Sequence, residues 1–104
     1  MKDINTYQKW TRSTAIYEDN LYPVLGLAEE AGEVCGKVAK LIRDDTDKKK
    51  LREDLKKELG DVAWMLCRIA DDQSIRMSDI LQLNRDKLTS RKEREMIGGS
   101  GDDR

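Results

Sequence analysis

Four acidic residues stand in two matched pairs, Glu30-x-x-Glu33 within "EEAGEV" and Glu58-x-x-Asp61 within "KELGDV". A spacing of three puts two side chains next to each other on one helix face. The flanking apolar residues keep step as well: Leu27 matches Leu55, Val34 matches Val62, Val38 matches Leu66 and Leu41 matches Ile69. One helical device is therefore written twice. On a wheel of about 100° per residue, Glu58 falls inside the stripe formed by Leu51, Leu55, Val62, Leu66 and Ile69, where a leucine belongs, with Asp54 and Asp61 on the flank. Glu30 edges the stripe of Leu27, Ala31, Val34, Val38 and Leu41, Glu33 follows it, and Glu29 points further out.

Stripping water from an ionised carboxylate costs several kcal/mol unless a partner compensates. A lysine or arginine on a neighbouring helix could satisfy one such acid. If the two helices pack antiparallel, as a short connection favours, Glu30, Glu33, Glu58 and Asp61 converge, and four like charges at one point call for a metal ion. The chain contains no histidine, which removes the usual ligands of catalytic zinc and the Glu-x-x-His signature of di-iron bundles. Oxygen-only ligation predicts Mg²⁺, with Mn²⁺ as a substitute. The absence of histidine also excludes Ser-His and Cys-His nucleophilic arrangements, so chemistry runs through metal and carboxylate.

Mg²⁺ held by carboxylates is commonly completed by water and substrate phosphates. Asn84, Lys87 and Arg91 recur at helical spacing on the side of the helix between Leu83 and Leu88, a row of amide and basic groups suited to phosphate oxygens and a base or sugar. The alternative is the charged face of an ordinary amphipathic helix.

The elements that must position these groups are all helical, because apolar residues recur at three and four and no stretch alternates in twos. The pattern predicts helices over about 4–17, from near Pro23 to about 43, over about 48–70, and from a cap at Ser78 to about 94; "DDTD", 44–47, is a loop. This is an all-α, four-helix bundle-like single domain over 1–95, followed at 96–104 by a tail, "GGSGDDR" with its flanks, of disordered composition.

With 104 residues, 39% charged and 38% hydrophobic, three Tyr, two Trp and no Phe, the core is thin, which favours a homodimer or homotetramer. A net charge of −1 gives no reason to expect a nucleic-acid polymer or an acidic membrane as partner. No signal-peptide order and no apolar run of about 20 residues is present, so a cytoplasmic location is expected. Cys35 and Cys67, lacking CxxC spacing, read as buried thiols.

The paired motifs, "LGLAEEAGEV" and "ELGDVAWML", followed by "NRDKLTSR", resemble the MazG-like branch of the all-α nucleoside triphosphate pyrophosphohydrolases, over about residues 7–91. The resemblance implies that Glu30, Glu33, Glu58 and Asp61 bind Mg²⁺, that Lys87 and Arg91 contact phosphates, that Asn84 contacts the nucleotide, and that Trp10 packs against the base. It implies hydrolysis of an NTP or dNTP to monophosphate and pyrophosphate, a carboxylate handling the water while Lys87 and Arg91 absorb charge on the departing group. Lys92 stands where an aromatic residue often follows the family's arginine. Two other functions fit the residues less fully: a non-enzymatic helical interaction module, and a metal-dependent phosphohydrolase acting on another pyrophosphate-containing substrate.

Overall fold

The computed structural model describes residues 3–44, 47–95, 98–99 and 101–102. Among them are four α-helices and no strand: α1 (Ile4–Thr11), α2 (Leu21–Asp44), α3 (Lys48–Asp72) and α4 (Met77–Glu93). Asp3 caps α1 through a 2.8 Å bond from the Asn5 amide. The first helix is shorter than predicted. At its end Thr11, Ser13 and Thr14 turn their hydroxyls back onto the carbonyls of Gln8, Trp10 and Thr11, and the chain tightens into a 3₁₀ turn over Arg12–Thr14. Hydroxyl side chains compete with the helical ladder in this way.

The α2 helix begins two residues before Pro23, which sits in its first turn where no helical partner is lost. Asp47 caps α3 by accepting from the Lys49 amide at 3.0 Å. The middle residues of the predicted "DDTD" loop, 45 and 46, lie outside the described residues. At its far end α3 runs two residues past the predicted Ala70 to Asp72, and Ser74, whose φ of 58° is left-handed, turns the chain away. The Ile75 amide then bonds back to the Ala70 carbonyl at 2.8 Å, the closing bond of a Schellman turn in which glycine is the commonest residue.

Ser78 does not cap α4. It lies inside the first turn, and the capping is done from α1: the Gln8 amide oxygen accepts from the Met77 N–H at 2.9 Å, and Asn5 accepts from the Ser78 N–H at 3.0 Å while donating to the Ser78 hydroxyl at 2.8 Å. Orphan donors of a helix start are thus met by side chains distant in sequence.

Packing is concentrated in the antiparallel α2–α3 pair; α1 lies on α3, and α4 packs mainly on α1. The buried hydrophobic residues are few: Met65, Cys67, Ala70 and Met77, with Ile4 and Tyr7 against them. Two sequence expectations are corrected here. Cys35 is exposed and only Cys67 is buried, because Cys35 lies on the side of α2 turned away from α3. Leu66, assigned to the α3 stripe, is 42% exposed, and its neighbours Met65 and Cys67 are the buried residues; α1 packs against α3 from one side and rotates the buried face toward them.

Beneath α1 the polar core is built around Arg68, 6% exposed. Its guanidinium donates to the Tyr17 hydroxyl, the Thr11 hydroxyl, Asp71 and Asp72, at 2.9, 3.3, 2.9 and 2.9 Å. Arg12 adds a two-pronged contact to Asp71 at 3.0 and 2.9 Å, tying the 3₁₀ turn to α3.

Candidate metal centre

Two close approaches set the site. At Gly26, the α2 backbone comes so near α3 that an added Cβ would lie 2.6 Å from the Met65 methyl and 2.7 Å from its sulfur. One turn further along α2 is Glu30, and one and two turns before Met65 on α3 are Asp61 and Glu58, so the helix contact carries the acids toward one another. Glu30, Glu58 and Asp61 each offer a carboxylate oxygen, and these three atoms lie within 4.8 Å of one another.

Among the described residues no lysine or arginine forms an ion pair with any of the three. The consequence is visible at Glu30, whose carboxyl is held above the ordinary carboxylate range first by burial and then by the charges of Asp61, Glu58, Glu29 and Glu33. Repulsion between such charges is of the order of 1–3 kcal/mol per pair. A cluster of hard oxygen donors lacking an internal cation fits a divalent ion of the Mg²⁺ or Mn²⁺ type. Glu33 is exposed and outside the triad, one turn along α2 from Glu30.

The α1 helix borders the site through Tyr7, a neighbour that sequence periodicity did not single out. Its hydroxyl pKa is raised by burial and by the fields of Cys67 and Asp61. Trp10 stacks on Tyr7 with ring centroids 5.7 Å apart and is half exposed, leaving indole surface available beside the acids' helix. A second aromatic group, Tyr17, Tyr22 and Trp64, lies at the α1–α2 turn; Trp64 meets Tyr17 edge-on at 6.3 Å and donates to Thr14 at 2.8 Å. The motif's tryptophan is thus tied by a hydrogen bond to the turn that follows α1.

Among the described residues no hydrogen bond or ion pair joins the basic row of α4 to the triad. Asn84 is exposed. Lys87 donates to the Asp102 carboxylate at 3.0 Å, and Arg91, 3% exposed, donates to the carbonyls of Gly101 and Asp102 at 3.0 and 2.8 Å. The structure therefore brings together Glu30, Glu58 and Asp61, sets Tyr7 within the field of Asp61 with Trp10 stacked on it, and holds Lys87 and Arg91 on the tail.

Comparison with known proteins agrees with the acidic repeat. Gene 37 protein of Mycobacterium phage L5 is 39% identical over 112 residues, an alignment that covers 97% of this chain and 98% of that protein. No solved structure matches. The family profile described as the MazG nucleotide pyrophosphohydrolase domain matches residues 20–95, from the start of α2 to just past α4 and across both acidic motifs. The chain belongs to the MazG nucleotide pyrophosphohydrolase family.

Proposed function

We propose that the protein hydrolyses a nucleoside triphosphate, NTP or dNTP, to the nucleoside monophosphate and pyrophosphate in a Mg²⁺-dependent reaction, with Mn²⁺ able to substitute. The observation that carries this reading is the convergence of Glu30, Glu58 and Asp61 without a cation among the described residues. Glu33 extends the ligand set along α2. When bound, the divalent ion neutralises phosphate oxygens and lowers the cost of forming a hydroxide nucleophile. A carboxylate oxygen of the set that is not engaged in ligation orients the attacking water and accepts its proton.

Lys87 Nζ and the Arg91 guanidinium hold phosphate oxygens and stabilise charge on the departing group, Asn84 contacts the nucleotide, and Trp10, on its Tyr7 support, takes the base. Because α4 packs mainly on α1 in the single chain, the reading includes a homodimer or homotetramer whose pocket draws Asn84, Lys87 or Arg91 from a neighbouring copy. No nucleic-acid polymer or membrane takes part, and the reaction is placed in the cytoplasm; among the described residues no helix is long and apolar enough to cross a membrane.

The test is a panel of NTPs and dNTPs with Mg²⁺, with products separated at early times. Monophosphate and pyrophosphate, without orthophosphate in the first step and with loss of turnover in EDTA, is the expected result. Diphosphate and orthophosphate as primary products would reject the assigned cleavage. No turnover of any nucleotide, together with a melting temperature indifferent to Mg²⁺, would leave a helical interaction module.

A further inference from the structure

Arg91 sits in the last turn of α4, almost wholly buried, yet its Nε has no hydrogen-bond partner. Its Nη2 donates to two tail carbonyls, Gly101 at 3.0 Å and Asp102 at 2.8 Å, and stands 3.5 Å from the Asp102 carboxylate. Lys87, one turn earlier, donates to the same carboxylate at 3.0 Å. An anion thus sits on two cations whose donors are arranged for an oxyanion, and it satisfies them incompletely.

The occupant is also easily displaced. Asp102 is 82% exposed, and an ion pair with one partner in water contributes little. A phosphate carries more charge than a carboxylate and more oxygens, so it can engage Nη2 and the unpartnered Nε of Arg91 together, the two-pronged contact that guanidinium favours.

We infer that the tail at Gly101–Asp102 is an internal competitor for the phosphate-binding cations Lys87 and Arg91, lying over them in the empty enzyme and expelled by a polyphosphate. This rests on the proposed role of those two residues as phosphate contacts. The tail then raises KM without altering the chemical step, and it favours ligands of high charge: a triphosphate displaces Asp102 more readily than a monophosphate does, so the competitor also assists release of the nucleotide product.

The experiment uses the full chain and inorganic tripolyphosphate, titrated calorimetrically in EDTA so that the acidic triad adds no metal-mediated affinity. Asp102→Asn and Asp102→Ala should each tighten binding about threefold, the order expected when an exposed ion pair is removed. KM for the best nucleotide substrate should fall by a similar factor with kcat unchanged. Asp86→Asn, which removes a charge adjacent in sequence to Lys87 but does not touch Arg91 or the tail, serves as the control and should have a smaller effect. Unchanged affinity in both Asp102 variants, or an equal gain in Asp86→Asn, would overturn the inference. Turnover with unchanged affinity and KM would reject the competitor and leave the pyrophosphohydrolase reading intact; tightened tripolyphosphate binding without turnover of any nucleotide would do the reverse.

Discussion

The carboxylates of Glu30 on α2 and Asp61 on α3 face each other within 4.8 Å, with Glu58 at the same distance or less from both. Among the described residues none of the three forms an ion pair with a cation. Removing one negative charge should therefore relieve repulsion in the metal-free protein while weakening the ion's hold. In Glu58→Gln and Asp61→Asn, turnover is expected to fall below about a tenth of wild type, roughly 1.4 kcal/mol of barrier. Mg²⁺ should no longer raise the melting temperature, and the metal-free variants should melt no lower than the metal-free parent. Thermal scans in Mg²⁺ and in EDTA measure all of this, and a full Mg²⁺ shift in both variants would remove these residues from the site.

The same helix contact makes Gly26 a test of how the site is positioned. In Gly26→Ala the new Cβ meets only the flexible end of Met65, at 2.6 and 2.7 Å. Repacking of that thioether is offset by the better helix propensity of alanine, about 1 kcal/mol, so the net change should be small. Gly26→Leu cannot be absorbed by one rotamer; overpacking of this kind costs about 1–3 kcal/mol. Because Glu30 lies one turn away, the Leu variant should also lose part of its Mg²⁺-induced stabilisation. Urea titrations with and without Mg²⁺ separate the two effects, and an unaltered metal response in Gly26→Leu would mean that the acids do not depend on this approach.

How far the sequence could be read follows from which contacts are local. Helix periodicity and the carboxylate inside an apolar stripe are local patterns, so the four helices and the nearness of Glu30, Glu58 and Asp61 were legible, whereas Glu33, expected to converge with them, lies outside the triad. The end of α1 was less so, because three hydroxyl residues, Thr11, Ser13 and Thr14, bend the chain back by bonds that periodicity does not register. The start of α4 is fixed by Asn5 and Gln8, some seventy positions earlier in the chain, which no neighbouring residue announces. Leu66 fits its stripe by spacing and the residue type of Cys35 predicts burial, but burial depends on which helix covers each face, and α1 covers only one side of α3. Asp102 on Lys87 and Arg91 is a contact between a polar tail and a helix, invisible to any hydrophobic pattern.

Asp71 provides a titration of the polar core. Its carboxyl is held below the ordinary aspartate range chiefly by the hydrogen bonds from Arg12, with Arg68 contributing and burial opposing. A folded-state value below the unfolded one means that the stabilisation is fully present above the unfolded value and is lost as pH falls through the folded one. Asp71→Asn should therefore cost roughly 1–3 kcal/mol at pH 7, the range for removing a charged hydrogen-bond partner. The gap between variant and parent should narrow in acid as Asp71 of the parent protonates beside Arg12 and Arg68. Urea unfolding at pH 7 and at about pH 3 checks the sign, and a gap that is constant or wider in acid would contradict it.

Association is the expectation with the largest physical margin. A folded monomer of 12.0 kDa should expose about 6,000 Å², whereas this chain exposes 8105 Å². A compact chain of this length should have a radius of gyration near 13 Å; the observed value is 16.6 Å. The excess surface is not merely polar: Leu21, Leu25, Leu59 and Leu83 are each more than half exposed. An excess of surface on this scale, part of it apolar, is comparable to what a stable protein–protein interface buries, about 1,200–2,000 Å² in total. The protein should therefore sediment as a homodimer or homotetramer at micromolar concentration, and its melting temperature should rise with protein concentration because folding and assembly are linked. Charge placed on the exposed apolar face, as in Leu25→Glu or Leu59→Glu, should shift the equilibrium toward monomer and lower the melting temperature. A parent chain that stays monomeric in light scattering and melts at a temperature independent of concentration would show that these leucines are tolerated in water, and the source of stability would then have to lie in the α2–α3 pair and the Arg68 network alone.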